Sequence, residues 1–300
     1  MKICVVYGGI STEREVSIAT GKEIIKELDK NKYEVYELLI NKKEDIFKIK
    51  DMNVDFVYIA LHGSFGEDGS IQTILETLNI PYSGANLLTS AICLDKDITK
   101  RIVKSYGVRT AKHTSFRVGQ KAIFPKELGE KVIVKPNSGG SSIGISFATN
   151  EKELELALKK VYETDNEALV EEVLNGIEIS VPIISGKVYP PVRIDALKST
   201  YFDYNSKYDK DGANEYVYFF EEELQNEINE FTKKAYYATK CKGFARIDYI
   251  IQDNKAYLIE INTLPGMTKT SLLPKSLAHL GYTYSKTLDL LIEASINDKI

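Results

Sequence analysis

The chain has 300 residues, more than one hydrophobic core usually organises, so two or three lobes are expected. It is 43% hydrophobic and 27% charged with a formal net charge of −4, a globular composition with no long basic stripe, which speaks against nucleic acid as a partner. Cys4, Cys93 and Cys241 stand far apart with no CxxC pair, which argues against a disulfide framework and a structural zinc site.

Residues 2–7 read as a buried strand, turned by Gly8-Gly9. That apolar run is too short for a signal peptide. No stretch approaches the roughly 20 apolar residues that span a bilayer. No membrane partner and a cytoplasmic location are therefore expected. Residues 15–28 have helical spacing, with Ile18, Ile24, Ile25 and Leu28 apolar. Residues 33–39 and 55–61 read as strands and 70–78 as a helix. This alternation predicts a parallel α/β sheet, whose ligands sit beyond the carboxyl ends of the strands. Two polar clusters fall there, residues 11–17 and 62–68.

Further on, 94–105 reads as a helix, 132–135 as a strand, 137–144 as a glycine-serine loop, 151–161 as a helix and 168–173 as a strand. Strands are expected over 178–184 and 187–193. The tyrosine-rich stretch 198–214 shows no periodicity and reads as a long loop, of the kind that is often functional. A helix over 222–240, a hairpin of 244–251 with 256–261, and a closing helix over 288–296 complete the chain.

Alternation along the hairpin puts Ala245, Ile247, Tyr249 and Ile251 on one face, joined by Tyr257, Ile259 and Ile261. The other face carries Arg246, Asp248, Glu260 and Asn262. With a turn centred on Asn254, Asp248 lies opposite Glu260 and Arg246 opposite Asn262. Opposed carboxylates repel, and a divalent cation would reverse that cost. Asp, Glu and Asn offer oxygen only, which suits magnesium. A solvated face with one salt bridge is the ordinary alternative.

The stretch Lys135-Pro136-Asn137-Ser138-Gly139-Gly140-Ser141-Ser142-Ile143-Gly144 follows a strand. Such a loop can turn backbone N–H groups toward phosphate, with lysine as a point charge. It is neither a P-loop nor a dinucleotide fingerprint. A plain linker is the competing reading.

Several separated segments together resemble the D-alanine–D-alanine ligases of the ATP-grasp superfamily. They are Gly8 through Ser17, Leu61-His62-Gly63 with Gly66-Glu67-Asp68-Gly69, Asp95-Lys96, Lys135 through Gly144, Tyr204 through Tyr208, Arg246-Ile247-Asp248, and Glu260 through Thr268. The resemblance covers nearly the whole chain in order. It implies an ATP-grasp fold, α/β with α+β later lobes: an N-terminal parallel α/β lobe (1–95), a central lobe (96–178) and a C-terminal lobe with the metal site and a lid loop (179–300).

The resemblance also implies roles. Lys96 and Lys135 would hold ATP phosphates, Glu171 would meet the adenine and Glu178 the ribose. Gly140, Ser142 and their neighbours would close over the phosphates, and Lys207 would approach the γ-phosphate. Asp248, Glu260 and Asn262 would bind two magnesium ions, with manganese able to substitute. Glu13 would take the ammonium of the first D-alanine, with His62 nearby, and Ser271 and Leu272 the carboxylate of the second. Arg246 and the backbone of Gly266 would form an oxyanion site. Tyr208 would bond Ser141 in a network completed by Glu13; tyrosine there accompanies D-alanine as acceptor, phenylalanine D-lactate. The lid would be residues 198–214, and relatives are commonly homodimers.

The chain departs from the family pattern where Gly139 replaces a carboxylate in the loop. It also lacks tryptophan, leaving Val173 and Leu174 as the apolar wall of the adenine site. Ordinary structural roles compete for His62, as a strand-end hydrogen-bonding residue, and for Glu13, as a helix cap. His113 and His279 sit in surface-like contexts and read as structural. Rival functions are a ligase with D-lactate or D-serine as acceptor, and a nucleotide-binding protein without chemistry. The second would have lost metal ligands or the oxyanion arginine.

Overall fold

The computed structural model describes residues 1–140, 144–196 and 213–297. Strand β1 (Lys2–Gly8) is central to a three-stranded parallel sheet, flanked by β2 (Glu34–Ile40) and β3 (Phe56–Ile59). Helix α1 (Arg14–Glu27) links the first two strands. Ile3, Val5 and Tyr7 pack on one face of the sheet and Cys4 and Val6 on the other, so both faces are covered. That is why β1 reads as an unbroken apolar run rather than an alternation.

A 3-10 helix (Lys43–Asp51), α2 (Ser70–Thr77), α3 (Leu87–Leu94) and α4 (Lys96–Ser105) follow. The sequence suggested one helix from residue 94. Instead Asp95 ends α3 and caps α4, its carboxylate accepting from the Ile98 N–H at 2.8 Å.

A four-stranded antiparallel sheet comes next, in the order β4 (His113–Arg117), β7 (Glu167–Glu172), β5 (Val132–Pro136), β6 (Ser146–Ala148). Helix α5 (Glu151–Val161) covers it, and Leu154, Leu158 and Val161 join Val132, Val134 and Val170 in a separate core.

The last sheet has six strands: β8 (Ile177–Ile184), β9 (Lys187–Val188), β10 (Val192–Ala196), β11 (Ala213–Val217), β12 (Phe244–Gln252) and β13 (Lys255–Asn262). Their order is β11-β10-β8-β12-β13, with β9 beside β8. The single strand expected over 187–193 is broken at Pro190-Pro191, because proline has no N–H for the ladder. Helix α6 (Glu222–Ala238) packs Leu224, Ile228 and Ala235 onto this sheet, together with Val103 of α4. Helices α7 (Leu272–His279) and α8 (Tyr284–Asn297) return to the first sheet, where Leu273, Leu288 and Leu291 share a core with Ile3 and Val5.

All three cysteines are buried and remain thiols, and burial pushes Cys4 and Cys93 up to about 12, as inert core residues. No helix among the described residues is long and apolar enough to cross a membrane.

Candidate active site

The β12–β13 hairpin turns on Asp253 and Asn254, both left-handed at φ 51° and 57°. This pairs Gln252 with Lys255, one residue off the turn centred on Asn254. Between Tyr249 and Asp248 the register shifts: Tyr249 lies opposite Leu258, yet Asp248 lies opposite Glu260. Ile259 is therefore the extra residue of a bulge, which restores the expected pairings Asp248–Glu260 and Arg246–Asn262.

The bulge also reverses the alternation toward the turn. Ala256 and Leu258 enter the core with Ile261, whereas Tyr257 and Ile259 are only half-buried. The expectation that Tyr257 and Ile259 belong to the core face is thus corrected. Counting by two fails across an inserted residue.

On the polar face, Asp248 is 5% exposed and accepts four hydrogen bonds. Arg246 donates Nε to Oδ1 at 3.0 Å and Nη2 to Oδ2 at 2.8 Å. Ser180, opposite on β8, donates Oγ to Oδ1 at 2.5 Å, and Asn262 donates Nδ2 to Oδ2 at 2.9 Å. These donors offset the repulsion between Asp248 and the facing Glu260. Burial would lower the Arg246 pKa, but Asp248 raises it further, so the guanidinium is a fixed charge.

The oxygen donor set of Asp248, Glu260 and Asn262 fits a hard divalent cation. Asn262 would first turn its amide so that Oδ1 replaces Nδ2. Among the described residues no group of three His, Cys, Asp or Glu could hold a metal, so a cation here would also need an amide or substrate oxygen.

Helix α4 aims its first residue at this face. Lys96 bonds the carbonyl of Gly139 in the glycine loop, and its Nζ lies 3.8 Å from Glu260 Oε2. Asn137 locks the junction, its carbonyl accepting from Lys96 N at 3.1 Å and its Oδ1 from Asp97 N at 2.9 Å. Lys135, near the end of β5, pairs with Glu171 Oε2 at 2.6 Å. The other oxygen of Glu171 meets Lys100 at 2.5 Å. Burial would raise the Glu171 carboxyl, but the ammonium groups of Lys100 and Lys135 hold it at about 2. Burial pushes Lys96 and Lys100 down.

Glu171 is the last residue but one of β7 and Glu178 the second of β8, so the chain passes from one sheet to the other between them. Leu174, 7% exposed, lies in that crossing, with Val173 half-buried beside it.

Glu13 stands at the start of α1, but its side chain does not cap the helix. A Cβ added at Gly63 would lie 3.2 Å from Glu13 Oε2, and one at Gly140 would lie 3.3 Å from it. The carboxylate therefore sits between the strand-end turn and the glycine loop. His62 is buried, with Nε2 3.3 Å from Thr20 Oγ1 and Nδ1 3.4 Å from Glu67 Oε1. Its backbone is held by Ser17 Oγ at 2.8 Å and Ser11 Oγ at 2.7 Å.

After β13, Gly266 and Ser271 are neighbours: a Cβ on the glycine would be 3.2 Å from Ser271 Oγ. Ser271 precedes α7, accepts from Thr268 N at 3.0 Å, and leads into half-buried Leu272. Tyr284 donates to the carbonyl of Met267, and Lys269 bonds Glu27 at 2.7 Å, tying this loop to α1.

The structure thus gathers Lys96, Arg246, Asp248, Glu260 and Asn262 in one cluster. Lys135 and Glu171 form a second, and Glu13, Gly140 and Gly63 a third. Ser141, Ser142, Lys207, Tyr208 and residues 198–212 of the expected lid 198–214 lie outside the described residues; Ala213 and Asn214, expected in that loop, instead begin β11, paired with Ala196 and Asp195. Sequence reading missed Lys100, Ser180 and Asn137. Only Lys100 carried a signal, four residues after Lys96 on the same helix face. His113 is not in a surface context: its ring is 7% exposed and lies 3.2 Å from Asp97 Oδ1. His279 is exposed and rests near Phe219.

Two family models match the chain: "D-ala D-ala ligase N-terminus" over residues 2–53 and 42–85, and "D-ala D-ala ligase C-terminus" over residues 102–293. A D-alanine–D-alanine ligase of Clostridium beijerinckii is 44% identical over 299 residues, covering 99% of both chains. This chain belongs to the D-alanine–D-alanine ligase family. The fold agrees with the crystal structure of the Bacillus anthracis D-alanine–D-alanine ligase complexed with ATP, at TM-score 0.89 and 40% identity over 99% of this chain and 98% of that one. The architecture is accordingly the ATP-grasp fold of this ligase family, with its parallel sheet at the N-terminal side. A D-Ala:D-Ser ligase of Enterococcus faecalis, VanG, is similar at TM-score 0.83 and 30% identity over 98% of this chain and 99% of that one.

Proposed function

We propose that this chain joins two D-alanine molecules into D-alanyl-D-alanine at the expense of ATP, through an acyl phosphate, as a step in peptidoglycan precursor synthesis. The observation that carries the reading is Lys96, which bonds the glycine loop at Gly139 and lies 3.8 Å from the acidic hairpin at Glu260. One ammonium thus joins a phosphate cradle to a set of oxygen ligands.

Carboxylates do not condense with amines in water, because oxide is a poor leaving group. Transfer of the γ-phosphoryl group to the first D-alanine supplies a better one, phosphate. That transfer needs alignment and charge neutralisation more than covalent help. Lys96, Lys135 and Lys207 supply positive charge, with Gly140, Ser142 and their neighbours over the phosphates and Glu171 and Glu178 toward the nucleoside. Asp248, Glu260 and Asn262 would hold two magnesium ions, or manganese in their place, which when bound neutralise phosphate charge.

Glu13, beside His62 and Gly63, holds the ammonium of the first D-alanine. Ser271 and Leu272, at the start of α7, receive the carboxylate of the second. Its amine attacks the acyl carbonyl, and phosphate departs. The fixed charge of Arg246 and the N–H of Gly266 stabilise the oxyanion, about 2.7–4 kcal/mol per donor in comparable sites. Tyr208 and Ser141 link the lid of residues 198–214 to the phosphate loop and favour D-alanine as acceptor.

The same reading divides the chain into lobes 1–95, 96–178 and 179–300, and makes the enzyme a cytoplasmic homodimer. Support for the lobes comes from the three separate sheets. D-serine as acceptor is the second reading, prompted by the likeness to VanG. Phosphate release with D-alanine, L-alanine, D-serine or D-lactate, with and without magnesium, tests all of this. Magnesium-dependent release with D-alanine is expected, and its absence under every condition would defeat the proposal.

A further inference from the structure

Lys100 has no part in the chemistry above, yet its side chain is completely buried and its Nζ lies 2.5 Å from Glu171 Oε1. Lys135 holds the other oxygen at 2.6 Å. The Lys100 ammonium and Glu171 Oε1 are both buried, and each has the other as its charged partner. One buried carboxylate is therefore shared by two ammonium groups, while Lys96, one helical turn away, has Glu260 as its own counter-charge. For stability alone this is a poor arrangement, since one counter-charge suffices and an excess cation in a low-dielectric site is costly. The excess makes sense if the site is built to receive an anion.

The two ammonium groups also come from different supports. Lys100 rides on α4, which Val103 anchors in the core of the six-stranded sheet. Lys135 sits at the end of β5, where the glycine loop begins. We infer that Lys100 is a positioning residue, the standing counter-ion of Glu171 that lets Lys135 turn to a nucleotide phosphate without leaving a buried carboxylate unpaired. This rests on the ligase reading, in which Lys135 holds ATP. Without Lys100, Lys135 and Glu171 would form a closed pair, and nucleotide would have to break it.

The test is a double-mutant cycle on binding of the magnesium complex of adenylyl imidodiphosphate, an ATP analogue that cannot be hydrolysed. Lys100→Met is expected to weaken binding about tenfold or more, while in a Glu171→Gln background it changes binding by less than about twofold. ATP KM in Lys100→Met should rise with kcat held within about threefold, and Lys100→Arg should restore most of the affinity. Equal losses in both backgrounds, or no loss in either, would overturn the counter-ion role and leave the ligase reading standing. If Lys100→Met does not fold, the double variant should fold and bind as Glu171→Gln does, because an amide needs no counter-ion; its failure to fold also overturns the role. A wild-type chain that binds no analogue overturns both readings.

Discussion

Arg246 and Asp248, two residues apart on β12, close a fork in which two guanidinium nitrogens, Nε and Nη2, meet the two carboxylate oxygens, at 3.0 and 2.8 Å. Two parallel bonds fix the plane of the guanidinium as well as its position. Lysine keeps the charge but not the plane. Arg246→Lys is therefore expected to retain the fold and lose about 10²-fold in kcat. D-alanine-dependent phosphate release checks this; a variant within a few-fold of wild type would show that the plane is immaterial.

Asp248 collects four donors, so Asp248→Asn disturbs more than a cation. It replaces an acceptor-only group by one that must also donate, against Arg246 and Ser180. Activity should fall at least about 10²-fold and not recover in excess magnesium. Full recovery at high magnesium would mean that only metal affinity was lost.

Gly63 holds φ 70°, and a Cβ there would lie 3.0 Å from Ser11 Oγ and 3.2 Å from Glu13 Oε2. Gly63→Ala should cost roughly 1–2 kcal/mol of stability through its left-handed backbone. It should also displace Glu13 and raise the KM of the first D-alanine more than that of ATP. Thermal unfolding and two-substrate kinetics read these separately; an unchanged D-alanine KM would count against Glu13 as its ammonium ligand.

The Glu171 carboxyl is held at about 2 against an ordinary 4.5. A depressed carboxyl pKa stabilises the fold fully above the unfolded value, and that stabilisation is lost as pH falls through the folded one. Wild type should exceed Glu171→Gln by roughly 3–5 kcal/mol near neutral pH, and the gap should close between pH 4.5 and about 2. Denaturant unfolding at several pH values measures the gap, and a pH-independent difference would contradict the assignment.

Asn254 holds φ 57° in the hairpin turn, which asparagine tolerates better than other side chains. Asn254→Ala should destabilise the protein by about 1 kcal/mol with activity intact, and Asn254→Gly should be neutral or better. Thermal midpoints of the two variants decide this.

Much of this could be read in the residues. The apolar run at Ile3 through Val6 marked a strand covered on both sides, and the carboxylates of the hairpin came to face each other as the strand period required. The path to that pairing was hidden, because a bulge at Ile259 obeys tertiary packing and leaves no local mark, and so Tyr257 and Ile259 were misplaced. Asp95 was read inside a helix begun at Leu94, because the apolar stretch before it masked the break between α3 and α4. Lys100 was obscured for a different reason. Lysine is presumed exposed, and only the three-dimensional placement of Glu171 reveals why one is buried.

The core beneath β1 is closed by side chains from α7 and α8, some 270 positions later in the chain, and Tyr33 reaches across to Asp289 at 2.8 Å. A growing polypeptide cannot finish its first sheet until its final helices have been synthesised, whereas the β4–β7 region, with its self-contained core, can mature earlier. The same division marks the finished molecule: Ile184 and Phe244 of the six-stranded sheet share a core with Ile3 and Val5 of the first, whereas the four-stranded sheet keeps a core of its own and meets α4 through the polar contacts of Asn137, Glu171 and His113.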